Sequence, residues 1–333
     1  MNPTDHLHVT RFKLIVAFAA VYLIWGSTYL GIRFAIDTIP PFIMCGMRFV
    51  IGGVMMLVWA RVQNGAWPAK DELRNAAVIG TLMMVGGTGA VTWAEQMVPS
   101  GLTALMVGTV PLWIVFFDWL SPHGTRPTWL MIVGLVIGSI GVGVLIAPGH
   151  FAGADHLDPI GAAVLVLACG SWAYGSIKSR HAILPKSQTM SIGVQLLVAG
   201  GVLLVLSTFS GEWGKLDLAQ VSAKSTIALL YLAIIGSLAF VSYLWLIKAA
   251  GPAKAATYAY VNPVVAVLLG STLGGEPLAL RTLLSALIII AAVVVIITAK
   301  SRQLGGAANS QAKATATPTV SNPGSSEVIA ERP

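Results

Sequence analysis

The chain has 333 residues, of which 56% are hydrophobic and only 10% charged, with a mean hydropathy of +0.80. Such a composition excludes a soluble globule, which needs far more polar residues to coat its surface. The formal charge of +7 does not point to nucleic acid, because the basic residues sit singly in short connections between apolar runs.

Ten runs come close to the roughly 20 residues needed to cross a bilayer. They are predicted at 13–36, 41–61, 74–96, 100–121, 128–147, 158–179, 188–209, 226–249, 253–273 and 279–299. Prolines punctuate the connections, among them Pro40-Pro41, Pro68, Pro122, Pro127, Pro159, Pro185 and Pro277. Residues 1–12 are polar, and no small-residue cleavage site follows the first run, which is therefore read as a retained helix. Cys45 and Cys169 both fall inside predicted spans, which argues against a disulfide, a metal site or a redox motif; no cofactor is expected. Residues 303–333 are rich in Ala, Ser, Thr, Gly and Pro without apolar periodicity, and are predicted to be a disordered tail.

Orientation follows from Lys and Arg in the connections. With the N-terminus inside, fifteen basic residues fall on the cytoplasmic side, against Lys215, Lys224, Arg281 and Arg33 on the other. That other face also collects Asp37, Asp155, Asp158, Glu212, Asp217 and Glu276. Both termini are placed in the cytoplasm.

The second half repeats the first. A shift of 147 residues lays IWGSTYLGIRFA (24–35) on SWAYGSIKSRHA (171–182), matching Trp25 with Trp172 and Arg33 with Arg180, and further on Gly53 with Gly200. A shift of 152 lays 93–111 on 245–263, each running eighteen residues from Trp to Pro. Five helices per copy is an odd number, so the second copy must enter the membrane upside down. The expected fold is an all-α membrane protein, ten transmembrane helices in two inverted five-helix repeats, at 13–147 and 158–299. Secondary transporters use this architecture, and paired interruptions of equivalent helices point to their substrate sites. Pro111 and Pro263 occupy such equivalent positions in the fourth helix of each copy and are predicted to break it, as hinges.

The pieces WGSTY (25–29), MRF (47–49), VPSGLTAL (98–105) and SYLWLIKAAGPAKAATYAYVNPVVAVLLGSTLGGEP (242–277), with the five-plus-five repeat, resemble the drug/metabolite transporter superfamily. Within it they are similar to the EamA-type ten-helix exporters, close to the YedA-like bacterial inner-membrane subgroup. The resemblance covers about residues 13 to 300. It implies an inner-membrane carrier that moves amino acids, related metabolites or xenobiotics outward.

Trp59, Trp93, Trp119, Trp129 and Trp245 lie near predicted span ends, and Trp67 and Trp213 lie in loops, as an interfacial belt requires. Trp25 and Trp172 instead sit mid-span at equivalent positions, as helix packing or as an aromatic wall of a substrate cavity. Tyr258 and Asn262 are four residues apart and share a helix face. Their counterparts Met106 and Val110 are apolar, so the repeat itself does not require polar groups there. They either bind substrate or supply interhelical hydrogen bonds around Pro263. Tyr29 and Tyr174 follow the two tryptophans and complete the candidate substrate set. Thr28 and Ser176 do so too, though such hydroxyls usually bond their own helix backbone.

Arg48 is the deepest base, with Asp37 or Glu95 as candidate partners; snorkelling or a structural ion pair are the alternatives. Glu95 either binds a cationic group or carries a proton in coupled exchange, or is a solvated helix-end residue. Asp118 is expected to pair with Arg126 or stay solvated. Gly134, Gly138, Gly141, Gly200 and Gly201 read as helix packing.

No catalytic residue is assigned. The six histidines fall in termini, loops or span ends, and neither an H-E-x-x-H motif nor a P-loop is present, which argues against a membrane enzyme or an ATP-driven pump. A channel is disfavoured because no filter-like segment exists. A carrier of phosphorylated or nucleotide-sugar compounds calls for more mid-span bases than Arg48. The expected partners are a small-molecule substrate and the lipid bilayer, with a monomer sufficient or a homodimer formed.

Overall fold

The computed structural model describes residues 11–315 apart from 123, 147–157, 251 and 256. The described residues form ten helices joined by turns, with no strand among them. We number them α1 (Arg11–Ala35), α2 (Pro41–Val62), α3 (Lys70–Ala94), α4 (Ser100–Leu120), α5 (Trp129–Ile146), α6 (Pro159–Ser179), α7 (Gln188–Phe209), α8 (223–250), α9 (Tyr258–Leu273) and α10 (Leu280–Thr315). Eight are long and apolar enough to span a membrane, and α5 and α9 are shorter apolar helices. The helix α10 continues to Thr315, so residues 303–315 are helical where the sequence predicted disorder. The remainder of that predicted tail, and residues 1–10, lie outside the described residues.

Helix starts follow local chemistry. Pro41 and Pro159 occupy first-turn positions, where their missing N–H costs nothing. Asp158, Ser187 and Ser222 accept hydrogen bonds from first-turn amides of α6, α7 and α8.

The helices pair as an inverted repeat demands. The helix α1 packs on α8 and α9, while its counterpart α6 packs on α3 and α4; α2–α7, α4–α9 and α5–α10 are pairs of equivalent helices. The α2–α7 seam is built from glycines matched by the 147-residue shift, Gly46 with Gly193 and Gly53 with Gly200. A Cβ on Gly53 would stand 2.8 Å from the Leu197 amide nitrogen, and one on Gly200 2.9 Å from the Gly46 carbonyl oxygen. Backbones can approach this closely only without side chains. Gly134 and Gly141 do the same for α5 against Ile296 and Ile289 of α10, and Gly138 makes room chiefly for Leu112 of α4, with Ala292 of α10 next to it. Gly201, grouped with them on sequence, faces open space.

Both third helices are locally widened into π-helix, at Thr81–Gly89 in α3 and Tyr231–Ile235 in α8. Each widened turn bonds to a serine on the first helix of the other repeat. Ser171 Oγ donates to the Leu82 carbonyl at 2.7 Å, and Tyr231 and Ser27 share a hydroxyl hydrogen bond of 2.6 Å. Such bulges often mark functional positions.

The two ends of the bundle are tied differently. At the end away from the termini, Gly211 and Gly275 adopt positive φ (70° and 67°) and each is followed by a glutamate. Glu212 accepts from the amides of Phe42 and Ile43 at the start of α2. Glu276 accepts from Ser100 N, Ser100 Oγ and Gly101 N at the start of α4, at 2.7, 2.7 and 2.9 Å. A carboxylate on a helix N-terminus gains charge-assisted hydrogen bonds and the helix field together. Both clamps join the second repeat to the first. At the terminal end the positions equivalent to Glu212 and Glu276 are Gly65 and Gly124, so no such clamp can form there. Asp118 instead pairs with Arg180 at 3.0 Å and Lys300 at 2.9 Å, rather than with Arg126 as expected.

Candidate functional site

Trp25 lies at the centre of an aromatic cluster drawn from three helices. Its ring is 5.0 Å from Phe240, 5.1 Å from Tyr243 and 5.0 Å from Tyr258, while Tyr243 and Tyr258 stand 5.5 Å apart edge to face. These are favoured aromatic geometries. Gly26 permits them: a Cβ there would meet Val265 at 2.7 Å, so α9 can close onto α1.

Asn262 is buried in the same α1–α9 contact. With its NH2 facing the acceptors, it donates to the carbonyls of Tyr258 and Tyr22, each at 3.3 Å. Tyr22 and Thr257 share a further hydroxyl hydrogen bond. Asn262 thus joins two helices, the interhelical role weighed against substrate binding from sequence. Pro263, expected to break the helix, does not: Tyr258–Leu273 runs through it, and the turn lies upstream at Thr257. Pro111 does coincide with an interruption. The helix α4 stops at Val107, turns at Gly108-Thr109 and restarts at Val110 with Pro111 in its first turn. The two prolines belong to one junction all the same, because a Cβ on Gly108 would sit 2.9 Å from the Pro263 ring.

One turn beyond Trp25 on the same face, Tyr29 leads into a polar centre. Glu95, at the end of α3, is 0% exposed, and neither carboxylate oxygen has a hydrogen-bond partner. The solvated helix-end alternative is therefore wrong. Arg48 of α2 has a buried, unpartnered NH1, and its guanidinium lies 5.5 Å over the Phe49 ring. Thr92 and Thr103 add buried hydroxyls without partners. Arg48, Glu95 and Tyr29 are neighbours in this centre, with Arg33 and Glu276 also beside Glu95, yet among the described residues Arg48 and Glu95 form no ion pair. Asp37, the other candidate partner of Arg48, pairs with Lys224 at 3.8 Å. Arg33 fastens the end of α3 by donating to the Glu95 backbone carbonyl at 2.8 Å, leaving the carboxylate free.

Trp172 does not join the Trp25 cluster. It packs on the widened turn of α3, where a Cβ on Gly87 would stand 2.9 Å from its ring, beside a core that includes Cys45, Phe49 and Met84. Phe240 borders that core as well, and so lies between the two tryptophans. Tyr174 is misplaced by the sequence reading. It is 48% exposed, meets Phe117 edge to face at 5.9 Å and lines a lateral groove of about 300 Å³ with Trp113 and Leu167 between α4 and α6. Sequence reasoning missed Phe240, Tyr243 and Tyr231, which carry no local signal beyond aromatic character. It also missed the two Gly-Glu dipeptides at 211–212 and 275–276, which a search for helix-capping acids could have found.

A family model described as the EamA-like transporter family matches the chain twice, over residues 12–147 and 159–298. The chain is 41% identical over 275 residues to the uncharacterized inner membrane transporter YedA of Escherichia coli strain K12, covering 81% of this chain and 87% of that one. It is 26% identical to the uncharacterized transporter YvbV of Bacillus subtilis, covering 88% and 93%. A crystal structure of a protein at 19% identity shares the fold, with a TM-score of 0.58 over 86% of this chain and 97% of that one.

Proposed function

The chain belongs to the EamA-like transporter family, and from that membership we propose that it is a secondary carrier exporting small metabolites or xenobiotics by alternating access. Amino acids and related compounds are the favoured cargo. The carrier sits in the inner membrane with both termini cytoplasmic. The observation that carries the reading is the set of buried, unpartnered polar groups around Glu95 and Arg48, enclosed where inverted repeats meet. Desolvated groups of this kind are costly unless something binds them.

The different ties at the two ends support a rocking cycle. Glu212 and Glu276 hold the repeats together at one end; Asp118, Arg180 and Lys300 do so at the other. Opening toward either side has to release that side's set. Trp25, Tyr243 and Tyr258 then wall the cavity toward the termini, and Glu95 is the group through which a proton gradient would couple. Both repeats lie in one chain, so a monomer suffices. Phosphorylated or nucleotide-sugar cargo fits less well, because among the described residues Arg48 alone contributes a buried basic nitrogen without a partner, and the Glu95 carboxylate is its charged neighbour.

Flux through proteoliposomes tests this. Saturable transport of a labelled amino acid and drug panel should fall in Trp25→Ala and Tyr258→Ala proteins that still insert. Non-saturable flux, or normal flux in both variants, would count against a carrier with this cavity. A rate indifferent to a pH gradient would remove the coupling role of Glu95.

A further inference from the structure

Two opposite charges, Arg48 and Glu95, share the polar centre without touching; Arg33 and Glu276 are further charged neighbours of Glu95, each already hydrogen-bonded elsewhere, Arg33 to the Glu95 backbone carbonyl and Glu276 to the start of α4. A structural ion pair would bring Arg48 and Glu95 into contact, since desolvated charges are tolerated only when paired and fully hydrogen-bonded. Here both Glu95 oxygens and Arg48 NH1 are buried without partners, as are the hydroxyls of Thr92 and Thr103. The scaffold keeps them in place. Arg33 and the end of α3 fix Glu95, and the guanidinium lies against α8, where the Cβ position of Gly236 is in van der Waals range of Arg48 NH2 at 3.7 Å. The repeat does not impose the arrangement, because Gln195 is the counterpart of Arg48.

Each simple occupant satisfies only half of this site. A proton or a metal cation answers Glu95 and leaves Arg48 unpaired. A carboxylate or phosphate answers Arg48 and meets Glu95 as a like charge. A molecule carrying both a carboxylate and an ammonium answers both groups at once, with the threonine hydroxyls free to bond either.

We propose that Arg48 and Glu95 form a two-charge subsite that selects zwitterions, Arg48 receiving the substrate carboxylate and Glu95 its ammonium. This rests on the carrier reading above and narrows it: lipophilic cations, organic anions and phosphorylated compounds are rejected. Trp25 and Tyr258, one turn and more below Tyr29, are left to meet the apolar part of the substrate. Arg suits the carboxylate because its planar fork can bind it bidentately.

The test is a ligand series on the purified full-length protein. Each of the standard amino acids is assayed by its effect on melting temperature, and the best binder is compared with its amide and its deaminated acid. Both derivatives should bind roughly 100-fold more weakly, the scale expected when one partner of a buried charge pair is removed. Glu95→Gln should abolish the preference over the deaminated acid and keep that over the amide. Arg48→Met should do the reverse, while Arg48→Lys keeps part of the carboxylate preference. General damage cannot produce that crossover. Without ligand, the neutral variants should melt no lower than the parent, because they remove unpaired buried charge. Equal binding of the derivatives, equal loss of all forms in both variants, or no response to any amino acid would overturn the proposal. In those cases saturable liposome flux of lipophilic cations or sugar phosphates would leave the carrier reading standing, whereas absence of any flux would overturn that as well.

Discussion

Glu276→Gln isolates one clamp between the repeats. The carboxylate accepts three hydrogen bonds at 2.7–2.9 Å from Ser100 and Gly101, and places a negative charge on the N-terminus of α4. Glutamine keeps one acceptor oxygen, turns an NH2 toward the other donor and removes the charge. Bonds to a charged group contribute about 1.5–3 kcal/mol each, and a charge at a helix N-terminus about 0.3–1 kcal/mol. Glu276 is half-buried, so we take a net loss of about 2 kcal/mol, or about 30-fold in the equilibrium between closed and open at that end. The buried thiol of Cys45, in the first turns of α2, reports opening. In a Cys169→Ala background, a membrane-impermeant maleimide added from that side should label Cys45 about 30-fold faster in Glu276→Gln. An unchanged labelling rate with a lowered melting temperature would refute the reasoning, because the bonds would then hold the fold and not the conformational equilibrium.

Three further outcomes follow from packing and charge. Gly53→Val should cost about 1–3 kcal/mol of stability or prevent insertion, since even its Cβ would meet the backbone of Leu197 at 2.8 Å; Gly201→Val, with nothing within 4 Å, should melt like the parent. Asp118→Asn removes the partner shared by Arg180 and Lys300 and should favour opening toward the termini, read as slower Cys45 labelling from the opposite side.

Part of the candidate site was legible because its signals are local. Trp25 stands out by repeat equivalence, and Pro111 by the rule that proline cannot continue an interior helix. Pro263 obeys the same rule in sequence and yet sits inside α9, because the turn that relieves the chain falls upstream, at Thr257. Tyr174 was assigned because it follows Trp172 as Tyr29 follows Trp25. In so uniformly apolar a helix no polar stripe sets the rotation, and the tyrosine faces outward. Arg48 and Glu95 were singled out as ionisable groups, but whether they touch depends on how α2 and α3 are held by other helices.

The sequence by itself determined the bilayer as solvent, the ten helices and their inverted duplication, because span length, hydropathy and self-similarity are properties of contiguous residues. Only the tertiary structure decided which groups close each end and which are left without partners. Glu276 reaches an amide 176 residues away, and Glu212 one 170 residues away. No local pattern encodes such distances. They are set when the two repeats pack, and the same packing leaves Glu95 and Arg48 desolvated and apart.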